Sequence, residues 1–389
     1  MDRISKNDLI NSSKREFKEK YGFCGQCVSI APGRINIIGE HTDYNLGLAM
    51  PTAIDRWICT VIKKRDDNKI NIYSSNLKKT ISVSLNNLQS NDLWEKYAVG
   101  CISVVKDKYN IQNGFDVIIK GNIPIGFGMS SSAAFEVSFL AALLFIFKIN
   151  IDFSLILKLT NIVEKKYLGI KSGLLDQYAS LFSKGSGPLI IDFFKLSHHY
   201  INSNVKNASW VIINSMVHRE LINSKYNERV NECLQGLIKI NTTLSKNILI
   251  NQVTLKDLDA IKDDEIFYNR LYHVINENNR VLAMKDPLEK GELNKVGELL
   301  NQSHNSLSKY YNVSCKEIDF IIKISKKQRG FYGGRIMGGG FGGCTINLID
   351  DIHKDKFIDD VKSLFFDKYS YELKVDSVNF SNGLNVNEI

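Results

Sequence analysis

Short runs of β-branched and aromatic residues recur through the first third of the chain, at 28–31, 58–62, 69–73 and 81–84, each ended by polar turn residues. Their pattern predicts strands. A further run at 115–120 leads directly into a loop rich in glycine and serine, and between the last two the stretch 94–105 has helical spacing. A mixed sheet with helices laid on it follows. Residues 135–147 are apolar almost throughout and predict a buried helix; 153–168 and 174–182 predict two more, separated by a loop at 169–173. Gly185, Gly187 and Pro188 form the strongest break in mid-chain, which divides the chain into an N-terminal lobe at 1–184 and a C-terminal lobe at 185–389. In the second lobe 189–193 and 210–214 read as strands and 225–240, 264–284 and 293–304 as helices, and a glycine run within 333–343 opens a last strand at 344–349. The expected class is α+β, two lobes with a cleft between them, and 389 residues with 44% hydrophobic content suffice for two domains of ordinary size.

The loop before the buried helix reads GNIPIGFGMSSSAA over 121–134. It delivers a helix N-terminus, whose first N–H groups lack intrahelical acceptors and whose dipole is positive, so it is suited to phosphate oxygens. Gly126 and Gly128 let a ligand approach the backbone, and Ser130, Ser131 and Ser132 can cap the helix, touch phosphate or hold a hydroxyl toward a metal. No lysine is present, unlike the Walker A loop, which leaves Mg²⁺ and backbone dipoles to neutralise a nucleotide. A capped core helix with a flexible lead-in loop is the plainer reading of this stretch alone.

The basic excess, 50 Lys and Arg against 42 Asp and Glu or +8, changes the picture little, because the basic residues are scattered among acids instead of forming a stripe. Nucleic-acid binding is not expected, although a mild positive field helps draw in a polyanion such as ATP. The seven cysteines are odd in number and dispersed, and residues 1–20 are polar and charged, so a reducing cytoplasm is the expected location. Cys24 and Cys27 have redox or half-zinc-site spacing without a second pair, and read as structural. The apolar run 137–147 is too short to span a bilayer and follows Glu136, so no membrane association is expected.

A second stretch, APGRINIIGEHTDYNLG over 31–47, packs Arg34, Glu40, His41, Asp43, Tyr44 and Asn45 into one turn-rich segment just after a strand. Carboxylates beside an amide and an imidazole suit a polyhydroxylated ligand, since ionised acceptors bond strongly to hydroxyl donors. This segment resembles the signature of galactokinases. Residues 124–134 resemble the second motif of the wider family of galactokinases, homoserine kinases, mevalonate kinases and phosphomevalonate kinases, and 338–343 with Cys344 and Thr345 resemble its third. The likeness also takes in 173–177, 213–214, 226–229 with Cys233, and 298–304, so that it runs from Val28 to Ile349.

The resemblance implies a two-lobed small-molecule kinase fold with the active site in the cleft. It implies ATP-dependent phosphorylation of the anomeric hydroxyl of galactose, giving galactose 1-phosphate and ADP. Carried over residue by residue, it assigns Glu40, His41, Thr42, Asp43 and Tyr226 to the sugar. Gly126, Phe127, Gly128, Met129, Ser130, Ser131 and Ser132 fall to the ATP phosphates, Trp94 and Ser74 to the rest of the nucleotide. Ser132 and Glu164 match the Mg²⁺ ligands, Asp176 the catalytic aspartate and Arg34 its supporting arginine. A monomer is expected. Taken without the resemblance, Asp176 is open to being a helix cap, Glu164 a surface helix residue and Trp94 a core aromatic. The glycine run matches a dinucleotide-binding pattern formally, but a strand follows it where a helix is required, and its expected use is close packing beneath the phosphate loop. Met337 stands where the family usually has threonine, and Lys309 and Tyr310 where relatives often carry two aspartates.

Overall fold

A computed structural model describes residues 4–169, 173–217 and 222–389, the side chains of 222–224 excepted. The first half of the chain forms α1 (Lys6–Tyr21), β1 (Cys27–Asn36), β2 (Leu48–Ala49), β3 (Pro51–Lys64), β4 (Lys69–Ser74), β5 (Lys79–Ser84), α2 (Leu93–Tyr109), β6 (Phe115–Gly121), α3 (Ser131–Ile146), α4 (Phe153–Ile162) and α5 (Leu175–Phe182). The second half forms β7 (Leu189–Asp192), β8 (Ser197–Tyr200), β9 (Ala208–Asn214), α6 (Ile222–Leu244), α7 (Glu265–Lys290), α8 (Leu293–Lys309), α9 (Lys316–Ser325), β10 (Phe331–Met337), β11 (Cys344–Asp350), α10 (Lys354–Tyr369), β12 (Lys374–Val378) and β13 (Asn385–Glu388).

The architecture is α+β, built on mixed and antiparallel sheets. A six-stranded sheet runs β13-β1-β3-β6-β4-β5, antiparallel except where β4 lies parallel to β6. A four-stranded antiparallel sheet runs β10-β11-β9-β12, and β2, β7 and β8 form a small third sheet. The buried helix α3 lies on β1 and β3 and is flanked by α2, α4 and α5. Thirteen of its sixteen residues are buried, so no polar face remains, as expected for a helix enclosed on every side. Of its polar residues, Ser138 donates to the Phe135 carbonyl and shares a hydrogen bond with Thr60 on β3 at 2.9 Å.

Several elements differ from the sequence expectation. The strand begun at Val28 does not stop at Ala31 but continues to Asn36, paired with β3 throughout. Pro32 and Gly33 resemble a turn in sequence, yet they make a β-bulge, which bends the strand without ending it. The helix expected over 153–168 stops being α-helical at Ile162 and winds as a π-helix over Val163–Leu168, a form found frequently at functional sites. The polar N-terminal stretch folds as α1, capped by Ser5 and terminated by Gly22 at φ 82°, and it buries Leu9, Ser13 and Phe17 at i, i+4 and i+8. The last strand, β13, returns across the molecule to pair with β1.

Candidate active site

The β1 bulge positions the first functional side chain. Gly33 has no Cβ because one would lie 2.5 Å from the Met129 carbonyl. That close approach lets the Arg34 backbone N–H donate to Met129 at 3.1 Å and sets its guanidinium against the phosphate loop. Arg34 Nε donates to Asp176 Oδ1 at 2.9 Å, Nη2 lies 2.8 Å from the same oxygen, and Nη1 donates to the Gly128 carbonyl. The other oxygen of Asp176 accepts from Ser130 Oγ. Asp176 sits in the first turn of α5, and α5 is tied to the bulge by Ser180 Oγ, which donates to the Pro32 carbonyl at 2.7 Å. The aspartate therefore has a fixed orientation, with about a third of its side chain still open to the cavity.

Ser130 does not cap α3, as its residue type allows. Its backbone is left-handed at φ 57° and its hydroxyl is turned to Asp176, leaving the first N–H groups of the helix open to a ligand. The loop lines a cavity of about 440 Å³ shared with Arg34, Asp176, Glu40, His41, Asp43 and Tyr226, and reached also by Gly338 and Gly339. Arg34 is the cation on its wall among the described residues.

The sugar-signature segment forms the opposite wall. Burial lowers the pKa of His41 to about 3, so its ring is neutral; Nδ1 bonds the Tyr44 hydroxyl at 2.8 Å and the buried Nε2 has no protein partner among the described residues. Burial raises the Asp43 carboxyl to about 7, with the charges of Asp176 and Glu40 acting the same way. Tyr226 packs against His41 and Tyr44 with ring centroids 5.6 and 5.0 Å away. One oxygen of Glu40 accepts from the Gly338 N–H at 2.8 Å and from Arg335 at 3.1 Å. Arg335 is wholly buried and also donates to the carbonyls of Asn36 and Ile37, so it binds the β10 edge to the end of β1. Helix α7 braces the segment from behind: Glu277 accepts from the Gly39 N–H at 3.0 Å, and His273 Nε2 lies 3.2 Å from the Glu40 carbonyl. Gly39 is required at φ 96°, where a Cβ would also meet the Ala49 backbone at 2.6 Å.

A second cavity of about 510 Å³ adjoins the first, with Tyr97, Ser131 and Ser132 common to both. Trp94, Ser74, Ile58 and Phe135 line it, an apolar slot suited to a flat heterocycle. Glu164, carried inward by the π-helical turn, lines the first cavity with Ser132. One hydroxyl and one carboxylate beside a phosphate loop fit Mg²⁺, which takes most of its shell from phosphate and water, whereas no cluster of three His, Cys, Asp or Glu suited to a fully protein-bound metal occurs among the described residues.

Most residues singled out in the sequence thus meet around the two cavities. Thr42 does not: it is wholly buried off the cavity wall, and its hydroxyl donates to the Gly39 and Leu48 carbonyls. The Thr42 side chain thus supports the turn that carries Glu40, His41 and Asp43. Phe127 and Met129 likewise pack their side chains into the core. The glycine run meets Glu40 through Gly338 at 2.8 Å, and Cys344 at its far end pairs with Asn214, which donates to the Gly126 carbonyl of the loop at 3.1 Å. Met337 is fully buried in the core, where a thioether replaces a hydroxyl, and Tyr310 packs on Tyr272 away from the cavity. Tyr97, Gln177 and Asn227 line the cavity without having been anticipated. Tyr97 lies one turn from Trp94 on α2, a spacing that could have revealed it.

No helix among the described residues is long and apolar enough to cross a membrane. Comparison with known proteins matches residues 15–64 to the galactokinase galactose-binding signature, 96–184 to the GHMP kinases N terminal domain and 284–367 to the GHMP kinases C terminal family. The chain is 34% identical over 384 residues to a galactokinase of Fusobacterium nucleatum, covering 96% of this chain and 99% of that one, and 38% identical over 340 residues to one of Thermosipho africanus, covering 87% and 92%. A crystal structure of Lactococcus lactis galactokinase complexed with galactose superposes with a TM-score of 0.90 at 32% identity, covering 97% of this chain and 99% of that one. A mevalonate kinase at 22% identity and a TM-score of 0.65 shares the fold. With a cavity that joins the sugar signature to the phosphate loop, and full-length relatives above 30% identity, the chain belongs to the galactokinase family of the GHMP kinases.

Proposed function

We propose that this protein transfers the γ-phosphoryl group of ATP to the anomeric hydroxyl of galactose. The observation that carries the reading is the placement of Asp176: it is held by Arg34 and Ser130 at the seam where the wall of Glu40, His41 and Asp43 meets the N-terminus of α3. The galactose in the Lactococcus lactis relative supports the sugar.

In this reading Glu40, His41 and Asp43 bond the sugar hydroxyls, and Tyr226 closes the pocket from the second lobe. The base of ATP enters the apolar slot between Trp94 and Ser74. Its phosphates lie along Gly126–Ser132 and accept from the open N–H groups of α3. Mg²⁺ held by Ser132 and Glu164 would shield phosphate charge during transfer. Asp176 orients the anomeric hydroxyl and accepts its proton as the new P–O bond forms, which suits a weak base because phosphoryl transfer passes through a loose transition state. Arg34 fixes Asp176, and because its third nitrogen is on the Gly128 carbonyl it couples that base to the phosphate loop. Arg34 also stabilises charge on the moving phosphoryl group.

The lobes at 1–184 and 185–389 would each supply one side of this cleft. One chain provides every residue named, so a monomer suffices, and we expect it to act in the cytoplasm. ADP release measured against a panel of free sugars tests the reading. Turnover with galactose is expected; an enzyme that consumes ATP with another sugar and not with galactose refutes it.

A further inference from the structure

We propose that Gln177 is a positioning residue for Glu164, the proposed Mg²⁺ ligand, and that Glu136 on α3 in turn fixes Gln177; the proposal rests on the kinase reading above. Asp176 and Gln177 are consecutive in the first turn of α5, where neighbours project about 100° apart. Asp176 faces Arg34 and Ser130, whereas Gln177 turns inward and is almost completely buried. Its Nε2 donates to Glu164 Oε1 at 2.8 Å and to Glu136 Oε2 at 3.2 Å, which uses both N–H groups of the amide. A single dipeptide thereby sets the direction of the proton acceptor and of the metal arm.

The remaining atoms show how the amide is held. Glu136 Oε1 and Gln177 Oε1 are both buried and neither has a partner. With Glu136 ionised they are two acceptors without a donor, an arrangement that buried groups avoid. A proton on Glu136 Oε1 would supply the missing donor, while Oε2 accepts one amide N–H and Glu164 the other. Burial, with the charges of Glu164 and Asp176, favours the neutral acid and outweighs the Gln177 hydrogen bond, which acts the other way. With its nitrogen between two carboxylates, the amide keeps an N–H toward Glu164.

Outer residues that orient metal ligands typically change affinity about 10- to 100-fold when removed. Gln177→Met keeps length and removes both donors. Binding of Mn²⁺ to the complex of the enzyme with a non-hydrolysable ATP analogue, followed by electron paramagnetic resonance, should weaken about tenfold or more. The Mg²⁺ concentration for half-maximal turnover should rise in parallel, while galactose affinity by calorimetry stays within about twofold. Glu136→Met should weaken Mn²⁺ binding in the same direction, and Glu136→Gln, which copies the neutral acid, should restore it to near the wild-type value. Unchanged Mn²⁺ affinity in folded Gln177→Met, or Glu136→Gln as defective as Glu136→Met, overturns the proposal. If Gln177→Met does not fold, Gln177→Asn, whose arm is too short to reach both carboxylates, decides the same comparison. Wild-type protein that shows no galactose-dependent turnover refutes the kinase reading itself, a result distinct from a wild-type enzyme whose variants leave Mn²⁺ binding unmoved.

Discussion

Replacing Asp176 by asparagine separates the two roles that its surroundings allow, a catalytic base or a structural partner for a buried arginine. Arg34 offers only donors, so the asparagine must keep its oxygen where Oδ1 now receives Nε at 2.9 Å and Nη2 at 2.8 Å. The new NH₂ then falls on the side of Ser130, whose hydroxyl can rotate from donating to accepting. Every contact survives in number. What is lost is the charge assistance of the bonds, about 1 kcal/mol after screening at a side chain one-third exposed. The melting temperature should fall by less than about 3 °C. Turnover should fall far more, because the NH₂ cannot take a proton: a positioned base contributes about 10²- to 10⁴-fold, or roughly 3 to 5 kcal/mol of transition-state stabilisation. Coupled-assay kcat, calorimetric binding of galactose and a melting curve should be measured on one preparation. Turnover within a few-fold of wild type would leave Asp176 as no more than the partner of Arg34. Arg34→Lys adds a control: a single ammonium cannot serve both Asp176 and the Gly128 carbonyl, so kcat should fall and KM for ATP should rise together.

Glu164→Gln should raise the Mg²⁺ concentration needed for half-maximal rate with little effect on folding; an unchanged titration makes Glu164 an ordinary helix residue. Galactose should exceed glucose in kcat/KM, because the epimer leaves a buried acceptor of the Glu40, His41 and Asp43 wall unpaired at about 1 to 3 kcal/mol; equal values for the two sugars exclude that wall as the discriminator. Asp43, raised to about 7 by burial, is protonated in the empty fold at pH 6 while its unfolded form is ionised, so its contribution to stability declines as pH rises from the usual carboxylate range through about 7. A sugar hydroxyl donating to the carboxylate binds the ionised form, so galactose affinity should rise between about pH 6 and 8 with proton release near pH 7. Calorimetry in buffers of different ionisation heat tests this, and a flat profile, or a slope that persists in Asp43→Asn, counts against it.

The sequence exposes groups that crowd together along the chain and hides those that meet only in space. The six polar residues of 31–47 and the Gly/Ser loop announce themselves because such density has no use in a simple connection, and the structure brings four of the six, Arg34, Glu40, His41 and Asp43, to the cavity that the loop lines. Arg335 is the counter-example. It sits in a glycine-rich strand edge where an isolated arginine suggests solvent, yet it is wholly buried against Glu40, and the contact spans 295 positions. No local pattern can encode that pairing; only the antiparallel registration of β10 with β11 brings it there. Gly33 misleads for a related reason. Beside a proline it imitates a turn, but the same lack of a Cβ is what allows strand and phosphate loop to touch.

Glu136 lies between these cases. A single acid on an otherwise apolar helix is visible in the sequence, and it helps to exclude a membrane span without disclosing its partner. Enclosed by helices and sheet, a helix such as α3 leaves no surface to which a charged side chain can escape. The acid must then be neutral or paired, and the group within reach is the amide that follows the proposed catalytic aspartate. A buried acid inside an apolar helix is therefore a signal about the neighbouring site, and in the proposal above its cost is offset by its hold on Gln177 and, through that amide, on Glu164.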